Sequence, residues 1–166
     1  MDRAQGAIDA ALAAGADKYA ITEYSAATDA LKNANNAVVA RDYRLALNYA
    51  LESHEHAQSA ARDAADAKAR TRVEVDHAVA ELTAFVAQGR TRLAAAERAR
   101  VPRRLLIQPA ADLTAGEAAL QKAGEAIAAD DYLAARATLE GVKERVEAAM
   151  AAVDGAMAAR SPRPPR

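Results

Sequence analysis

The chain has 166 residues and a net charge of −1, and 50 of its residues are alanine. It contains no tryptophan and no cysteine. The lack of cysteine excludes disulfides, thiol catalysis and cysteine-ligated metal sites. It also has no run of about 18 apolar residues, the length that a membrane-spanning helix requires. Alanine is the strongest helix former, and strand-like alternation is absent, so we predict an all-α fold.

The N-terminal half is predicted to form a helical hairpin with a long second arm. Helix A covers about residues 3 to 14, and helix B begins after Thr22. Asp42 is the predicted N-cap of helix C, so a tight turn joins B and C as antiparallel neighbours. Helix C is predicted to continue to about Arg100, where Pro102 ends it.

The second half of helix C carries an aliphatic stripe near coiled-coil spacing. Its members are Val75, Val79, Leu82, Val86 and Leu93. Gly89 falls on the same stripe, where it is a candidate site for a bend. We expect this stripe to be buried as a packing seam.

Two further helices are predicted after the proline break, D over about residues 110 to 129 and E from Asp131 to about residue 157. Helices A and B are expected to pack on the first half of C, and D and E on its second half. The prediction is an elongated bundle of five helices with one shared central helix. The expected lobes are residues 1–89 and 90–159, and the proline-rich residues 160–166 are expected to be a disordered basic tail.

An ungapped internal repeat supports the hairpins. A shift of 89 residues places helix B on helix D and aligns the turn pair Asp42-Tyr43 with Asp131-Tyr132. Aspartate at a helix start accepts hydrogen bonds from free backbone N–H groups. The tyrosine is expected to pack the turn with its apolar ring while its hydroxyl stays in water, and the alternative is a recognition role.

Several short segments of the N-terminal half resemble a known family. They are the run Ala-Ala-Gly-Ala-Asp-Lys-Tyr-Ala at residues 13–20, Glu23, Ala26-Ala27, Leu31, and the Asp42-Tyr43 turn with Ala46. Over about residues 3 to 68 the chain resembles the domain of unknown function 4398, an alanine-rich bacterial envelope domain, and residues 107–153 carry a weaker echo of it. Two positions depart from the family pattern, because Ile21 stands where proline is frequent and Arg41 where glycine is frequent.

The resemblance implies an exported helical-hairpin module, often a lipoprotein, and it implies no catalytic residues. The N-terminus lacks a basic segment followed by a long apolar run, so no signal peptide is visible. We therefore expect a periplasmic or envelope location if Met1 is a trimmed or misassigned start, and a cytoplasmic one if Met1 is the true start.

The residues that enzymes and metal sites need are sparse. His54, Glu55 and His56 form the one histidine cluster of the sequence, but two histidines two apart on a helix point to different sides. Glu52 with His56 supplies too few ligands for zinc. No serine lies in a glycine-flanked elbow and no glycine-rich phosphate loop is present. We predict no catalytic residue, metal, cofactor or small-molecule substrate.

The basic residues concentrate in two segments, although the whole chain is nearly neutral. They are Arg90, Arg92, Arg98, Arg100, Arg103 and Arg104, followed by Arg160, Arg163 and Arg166 in the tail. These arginines either compensate the dipoles of helix C-termini or form a surface that binds anions. If helices D and E form a short hairpin, the two segments meet at one basic pole.

The sequence as a whole favours a non-enzymatic helical scaffold of the bacterial cell envelope. It would act through a protein partner or through self-association of its helical faces. The alternative is a basic-ended module that docks on anionic lipid, cell-wall polymer or nucleic acid.

Overall fold

A computed structural model describes residues 1–159, and within them the fold is helical throughout and contains no strand. The all-α prediction and the long helix are confirmed. The helices are α1 (Asp2–Ala13), α2 (Ala16–Tyr19), α3 (Ile21–Val39), α4 (Tyr43–Arg98), α5 (Arg103–Ala128), α6 (Tyr132–Leu139) and α7 (Val142–Ala158). The predicted tail, residues 160–166, lies outside the described residues.

Two helix bounds differ from the expectation, each for a local reason. Helix α5 starts at Arg103 and carries Pro109 inside it. Leu106, Pro109 and Leu113 are all buried, so this turn adds apolar burial that offsets the one backbone hydrogen bond that proline removes. The predicted helix E is two helices, because Glu140 is extended and Gly141 adopts a left-handed conformation with φ 70°.

The chain divides into two compact units, one of residues 1–70 and one from Thr71 onward. The division lies inside α4 and earlier in the sequence than the boundary at residues 89 and 90 that we expected. The first unit contains α1 to α3 and the start of α4. The second contains the end of α4 with α5, α6 and α7.

The first unit has a core of small side chains. The fully or almost fully buried residues of its two apolar clusters are alanines and one large aliphatic residue, Ile8, and the half-buried Tyr19, Tyr24 and Leu31 pack against them. These alanines are Ala11, Ala16, Ala27, Ala57, Ala60 and Ala64. Ser53 is also completely buried, and its hydroxyl donates a 2.7 Å hydrogen bond to the backbone oxygen of Ala27. Side chains of this size let α1, α3 and α4 approach closely, but each buries little apolar area.

The second unit has a conventional aliphatic core that includes the predicted seam of α4. Val75, Leu82, Val86 and Leu93 are buried, and Val79 is half-buried against them. They pack on residues from all three later helices, which include Leu113, Leu139, Val146, Met150 and Val153.

Gly89 does not interrupt α4, which is helical from Tyr43 to Arg98. Its role is close approach, because a Cβ at this position would lie 2.3 Å from Leu113 Cδ2. Gly116 serves the same purpose on α5, where a Cβ would lie 2.9 Å from Val146 Cγ2. The two glycines therefore let the backbones of the second unit come into contact with facing side chains.

Three of the turns share one backbone geometry. Arg41, Arg100 and Asp130 are the non-glycine residues with positive φ, at 62°, 58° and 60°, among residues 1–159. At each turn this residue and the one after it donate backbone hydrogen bonds to the preceding helix. The Arg41 N–H donates to the Val38 oxygen, and the Asp42 N–H donates to the Ala37 oxygen. The turns at Arg100 and Asp130 have the same two hydrogen bonds. This is a Schellman motif, whose left-handed position favours glycine.

Candidate interaction surfaces

The repeated turn pair begins with two equivalent helix caps. Asp42 Oδ1 accepts a 3.0 Å hydrogen bond from the backbone N–H of Leu45 at the start of α4. Asp131 Oδ1 accepts one of 3.0 Å from Ala134 at the start of α6. Both carboxylates satisfy an N–H group that the first turn of a helix leaves free.

The two tyrosines that follow these caps occupy opposite environments. Tyr132 is buried, with 7% of its surface exposed, and the guanidinium of Arg72 lies 6.0 Å from its ring centroid. Tyr43 is 68% exposed. The expectation that a tyrosine packs the turn therefore describes Tyr132, whereas most of the Tyr43 ring lies in solvent.

A covering helix explains the burial of Tyr132. We use the term covering helix for a helix that packs on a hairpin of two helices and runs parallel to the second of them. In the second unit the covering helix is the end of α4, which pairs with α6 and α7 through Glu74–Arg136, Glu81–Lys143 and Arg92–Asp154. The members of these pairs advance together along the chain, so the helices run in one direction. Arg72, which precedes Glu74 on α4, continues this row of contacts to Tyr132 at the start of α6.

The covering helix of the first unit is α1. It packs on α4 in the same direction, since Arg3 contacts His54 and Ile8 packs with Ala57. His54 Nδ1 lies 3.3 Å from the backbone oxygen of Arg3, close to the start of α1. The residues of α4 before His54 lie beyond this end of α1.

An apolar surface is left on the hairpin of α3 and α4 where α1 does not reach. We call it the uncovered face, and it consists of Val38, Tyr43, Leu47 and Leu51, which are 40%, 68%, 59% and 54% exposed. The last three are spaced four apart on α4 and so lie along one side of the helix. Sequence reasoning missed Leu47 and Leu51, although this spacing beside the buried Ala46 and Ala50 was a readable signal.

Two of the arginines singled out in the sequence are held within the second unit. Arg90 Nε donates a 2.7 Å hydrogen bond to Glu117 Oε1, and its Nη2 donates to Glu117 Oε2 and to Thr114. Arg92 pairs with Asp154. The hydrogen bond from Arg90 lowers the pKa of Glu117, and the same bond raises the pKa of Arg90. These two arginines join α4 to its neighbours.

Four others form what we call the basic turn: Arg98, Arg100, Arg103 and Arg104. All four are exposed at the junction of α4 and α5, and within residues 1–159 none of them makes an ion pair or a side-chain hydrogen bond. Two large aliphatic side chains stand beside them, Leu105 at 46% and Ile107 at 63% exposure. Arg160, Arg163 and Arg166 lie outside the described residues, so the basic pole stays a prediction.

The histidine cluster has ordinary structural partners. His56 Nδ1 lies 2.7 Å from Glu23 Oε2, which joins α4 to α3, and His54 Nε2 lies 3.1 Å from the side-chain nitrogen of Gln58. Among residues 1–159 no group of three or more histidines and carboxylates is arranged to hold a metal ion. In the same residues, no helix combines the length and apolarity that a membrane crossing needs.

The family comparison bears on the first unit. Residues 1–76 match the model described as Domain of unknown function (DUF4398). The resemblance inferred from the Ala-Gly-Ala-Asp-Lys-Tyr run and the Asp42-Tyr43 turn is confirmed over these residues. The matched segment contains α1, α2, α3 and the start of α4, and therefore the whole uncovered face. No curated protein and no solved structure matches the chain.

Proposed function

We propose that the chain is a non-enzymatic interaction module of the bacterial cell envelope, and that its first unit binds a helix of a protein partner on the uncovered face. The observation that carries the proposal is the exposure of Tyr43, Leu47 and Leu51 along one side of α4. Exposed aliphatic and aromatic side chains that form a contiguous stripe mark interaction surfaces in soluble domains.

The internal repeat indicates what kind of partner fits. In the second unit the matching hairpin carries a covering helix, and Tyr132 is buried beneath it. A helix laid on the first hairpin ahead of α1, in either direction, would cover Tyr43. An amphipathic helix is therefore the ligand that this surface suits best. The envelope location rests on the family resemblance.

Site-specific photocrosslinking in cells tests the proposal. A photoreactive amino acid at Leu47 should give discrete crosslinked products, because this side chain lies at the centre of the uncovered face. The matched control is the same substitution at Val73, which is 68% exposed on α4 and outside the face. Fractionation of the cells shows whether the products lie in the envelope. Equal crosslinking at Leu47 and Val73, or none at either position, contradicts the proposal.

A second function, docking on an anionic surface, is favoured by the basic turn. Four unpaired arginines stand there beside the exposed Leu105 and Ile107. Each basic residue near an anionic membrane contributes roughly 1 kcal/mol of attraction, and exposed aliphatic side chains add apolar contact at the interface. This combination favours a lipid surface over nucleic acid or cell-wall polymer.

Vesicle binding tests this second function. The parent chain should bind vesicles that contain anionic lipid at low salt, release them at high salt, and ignore neutral vesicles. Changing Arg98, Arg100, Arg103 and Arg104 to Gln should abolish binding, and deletion after Ala159 measures the contribution of the tail. The control changes Arg3, Arg62, Arg70 and Arg145 to Gln, which removes the same charge from other exposed positions. Equal loss in both variants would mean that net charge alone matters, and preference for RNA would mean a nucleic-acid ligand.

A further inference from the structure

We infer that the helix that occupies the uncovered face is α4 of a second copy of this chain, packed antiparallel about a two-fold axis. The inference rests on the proposed function and names its partner. Its starting point is the order of side chains along one side of α4: Arg44, Leu47, Leu51 and Glu55, spaced three, four and four apart. These intervals keep the four residues on one continuous stripe of the helix.

The stripe is complementary to itself when it is reversed. If the two-fold axis passes between Leu47 and Leu51, each Leu47 meets Leu51 of the second copy. Arg44 then lies beside Glu55 of the second copy, and the same contact recurs at the other end. An isologous interface requires this reciprocity, in which residue i meets residue j and j meets i. A parallel arrangement would instead bring Arg44 against Arg44 and Glu55 against Glu55, which is unfavourable.

The charges at both ends are available for this pairing. Arg44 and Glu55 are exposed, and neither makes an ion pair or a side-chain hydrogen bond within residues 1–159. Each stripe also presents two leucines that are more than half exposed, with Tyr43 and Val38 at their margin. The dimer would bury these apolar side chains at its centre and leave the charged pairs at its rim, which is the usual anatomy of a protein interface.

The arrangement is also consistent with the small residues beneath the stripe. Ala46, Ala50 and Ser53 are buried on α4, and the Ser53 hydroxyl joins α4 to Ala27 of α3 within one copy. Leu47 and Leu51 belong to neither apolar cluster of the first unit, and more than half of each side chain is exposed. Two hairpins joined by these leucines would form an antiparallel four-helix arrangement with Leu47 and Leu51 at the contact between copies.

Sedimentation of the full chain over a range of concentrations is the first test. The parent should shift from monomer to dimer as concentration rises. The double variant Leu47→Asp, Leu51→Asp should weaken the dimer by more than about 100-fold, because two buried leucines are lost and charges would be desolvated. The control variant Val73→Asp, Ile107→Asp changes two equally exposed aliphatic residues outside the face and should dimerise like the parent. Helicity by circular dichroism should be unchanged in both, since all four positions are exposed.

A charge exchange tests the orientation without touching the leucines. Arg44→Glu and Glu55→Arg should each self-associate more weakly than the parent, because each places like charges at both ends of the antiparallel dimer. A mixture of the two variants should form heterodimers, because both ends then join opposite charges. In a parallel dimer like charges meet in the parent and in both variants alike. Arg44→Glu and Glu55→Arg variants that self-associate as strongly as the parent would therefore indicate parallel pairing and overturn the inference.

The outcomes separate this inference from the proposed function. If the chain is a monomer at every concentration and Leu47 crosslinks in cells to a different protein, the second copy is the wrong occupant while the interaction module stands. If the chain is a monomer and Leu47 crosslinks to nothing, both proposals fail. A dimer that survives the Leu47→Asp, Leu51→Asp change would place the interface elsewhere and overturn the inference.

Discussion

The two hairpins of the chain have the same turn but differ in what lies on them. Arg41 and Asp130 take the same left-handed conformation, and Asp42 and Asp131 cap the next helix in the same way. In the second unit α4 covers the hairpin and buries Tyr132, whereas in the first unit α1 leaves Tyr43 in solvent. The comparison shows that a repeated motif fixes the turn, while a helix outside the hairpin decides whether the tyrosine of that motif is buried.

The cores of the two units differ in the size of their buried side chains. The second unit buries leucines and valines, and the first buries alanines. Each fully buried leucine contributes roughly 1.5–3 kcal/mol of apolar transfer, and alanine contributes far less. We therefore expect the first unit to be the less stable of the two and to gain most from a partner on its uncovered face. Hydrogen exchange in peptides from α3 should be faster than in peptides from α5.

The largest expected effect is the difference in stability loss between Tyr132→Ala and Tyr43→Ala. Tyr132→Ala should destabilise the second unit by about 3 kcal/mol, because it empties a buried site and removes the Arg72 contact. Tyr43→Ala should change the free energy of unfolding by less than about 0.5 kcal/mol at concentrations where the chain is monomeric. Chemical denaturation measures both. Equal losses would mean that the uncovered face is closed in solution.

The sequence predicted the features that depend on local residues. The long helix, the caps at Asp42 and Asp131 and the α4 seam follow from helix propensity, capping chemistry and periodicity. The exposure of Tyr43 does not follow, because Tyr43 and Tyr132 share the Asp-Tyr-x-x-Ala pattern, and their burial depends on contacts with a helix that is distant in sequence. Burial among alanines is likewise hard to predict, since alanine is compatible with both faces of a helix.

Helix α5 illustrates a second limit of local reasoning. Pro109 is a helix breaker by local rules, yet it is buried inside α5, because tertiary packing around Leu106 and Leu113 decides its place. The four unpaired arginines of the basic turn were identified from the sequence together with Arg90 and Arg92. Only the structure distinguishes Arg90 and Arg92 from the arginines of the basic turn, because their partners Glu117 and Asp154 lie on other helices.

The next effect tests how closely the covering helix of the second unit packs. Gly89→Ala should destabilise this unit by about 1–3 kcal/mol, because the new Cβ would lie 2.3 Å from a side-chain carbon of the fully buried Leu113. Gly124→Ala on α5 is the matched control. Its Cβ would meet nothing within 4 Å, so it should stabilise the chain by about 0.5–1 kcal/mol. Urea denaturation that gives both variants the same sign would contradict the close packing at Gly89.

A smaller effect concerns the turn geometry that both hairpins share. Arg41→Gly should stabilise the first unit by up to about 1 kcal/mol, because glycine adopts φ 62° without the steric cost that arginine incurs. The gain is reduced because glycine also has more freedom in the unfolded chain. Arg62→Gly, inside α4, should instead destabilise by about 1 kcal/mol. If thermal unfolding shows Arg41→Gly to be as harmful as Arg62→Gly, the arginine makes a contact that outweighs its strain.

The smallest effect is the pH dependence of the Arg90–Glu117 pair, which joins the covering helix to α5 in the second unit. The first hairpin has Thr28 at the position matching Glu117, so we expect this dependence in the second unit alone. Because Arg90 lowers the pKa of Glu117 in the folded chain, the pair stabilises the fold at pH values above the ordinary glutamate pKa of about 4.3. That contribution is lost as the pH falls through the lowered pKa. Both side chains are more than a third exposed, so water screens the pair and the effect is small.

Glu117→Gln should therefore lower stability relative to the parent at pH 7, and the difference should shrink towards pH 3. Glu147→Gln, at an exposed position on α7, is the control. A Glu117→Gln deficit that stays constant across this range would show that the charge of Glu117 does not contribute.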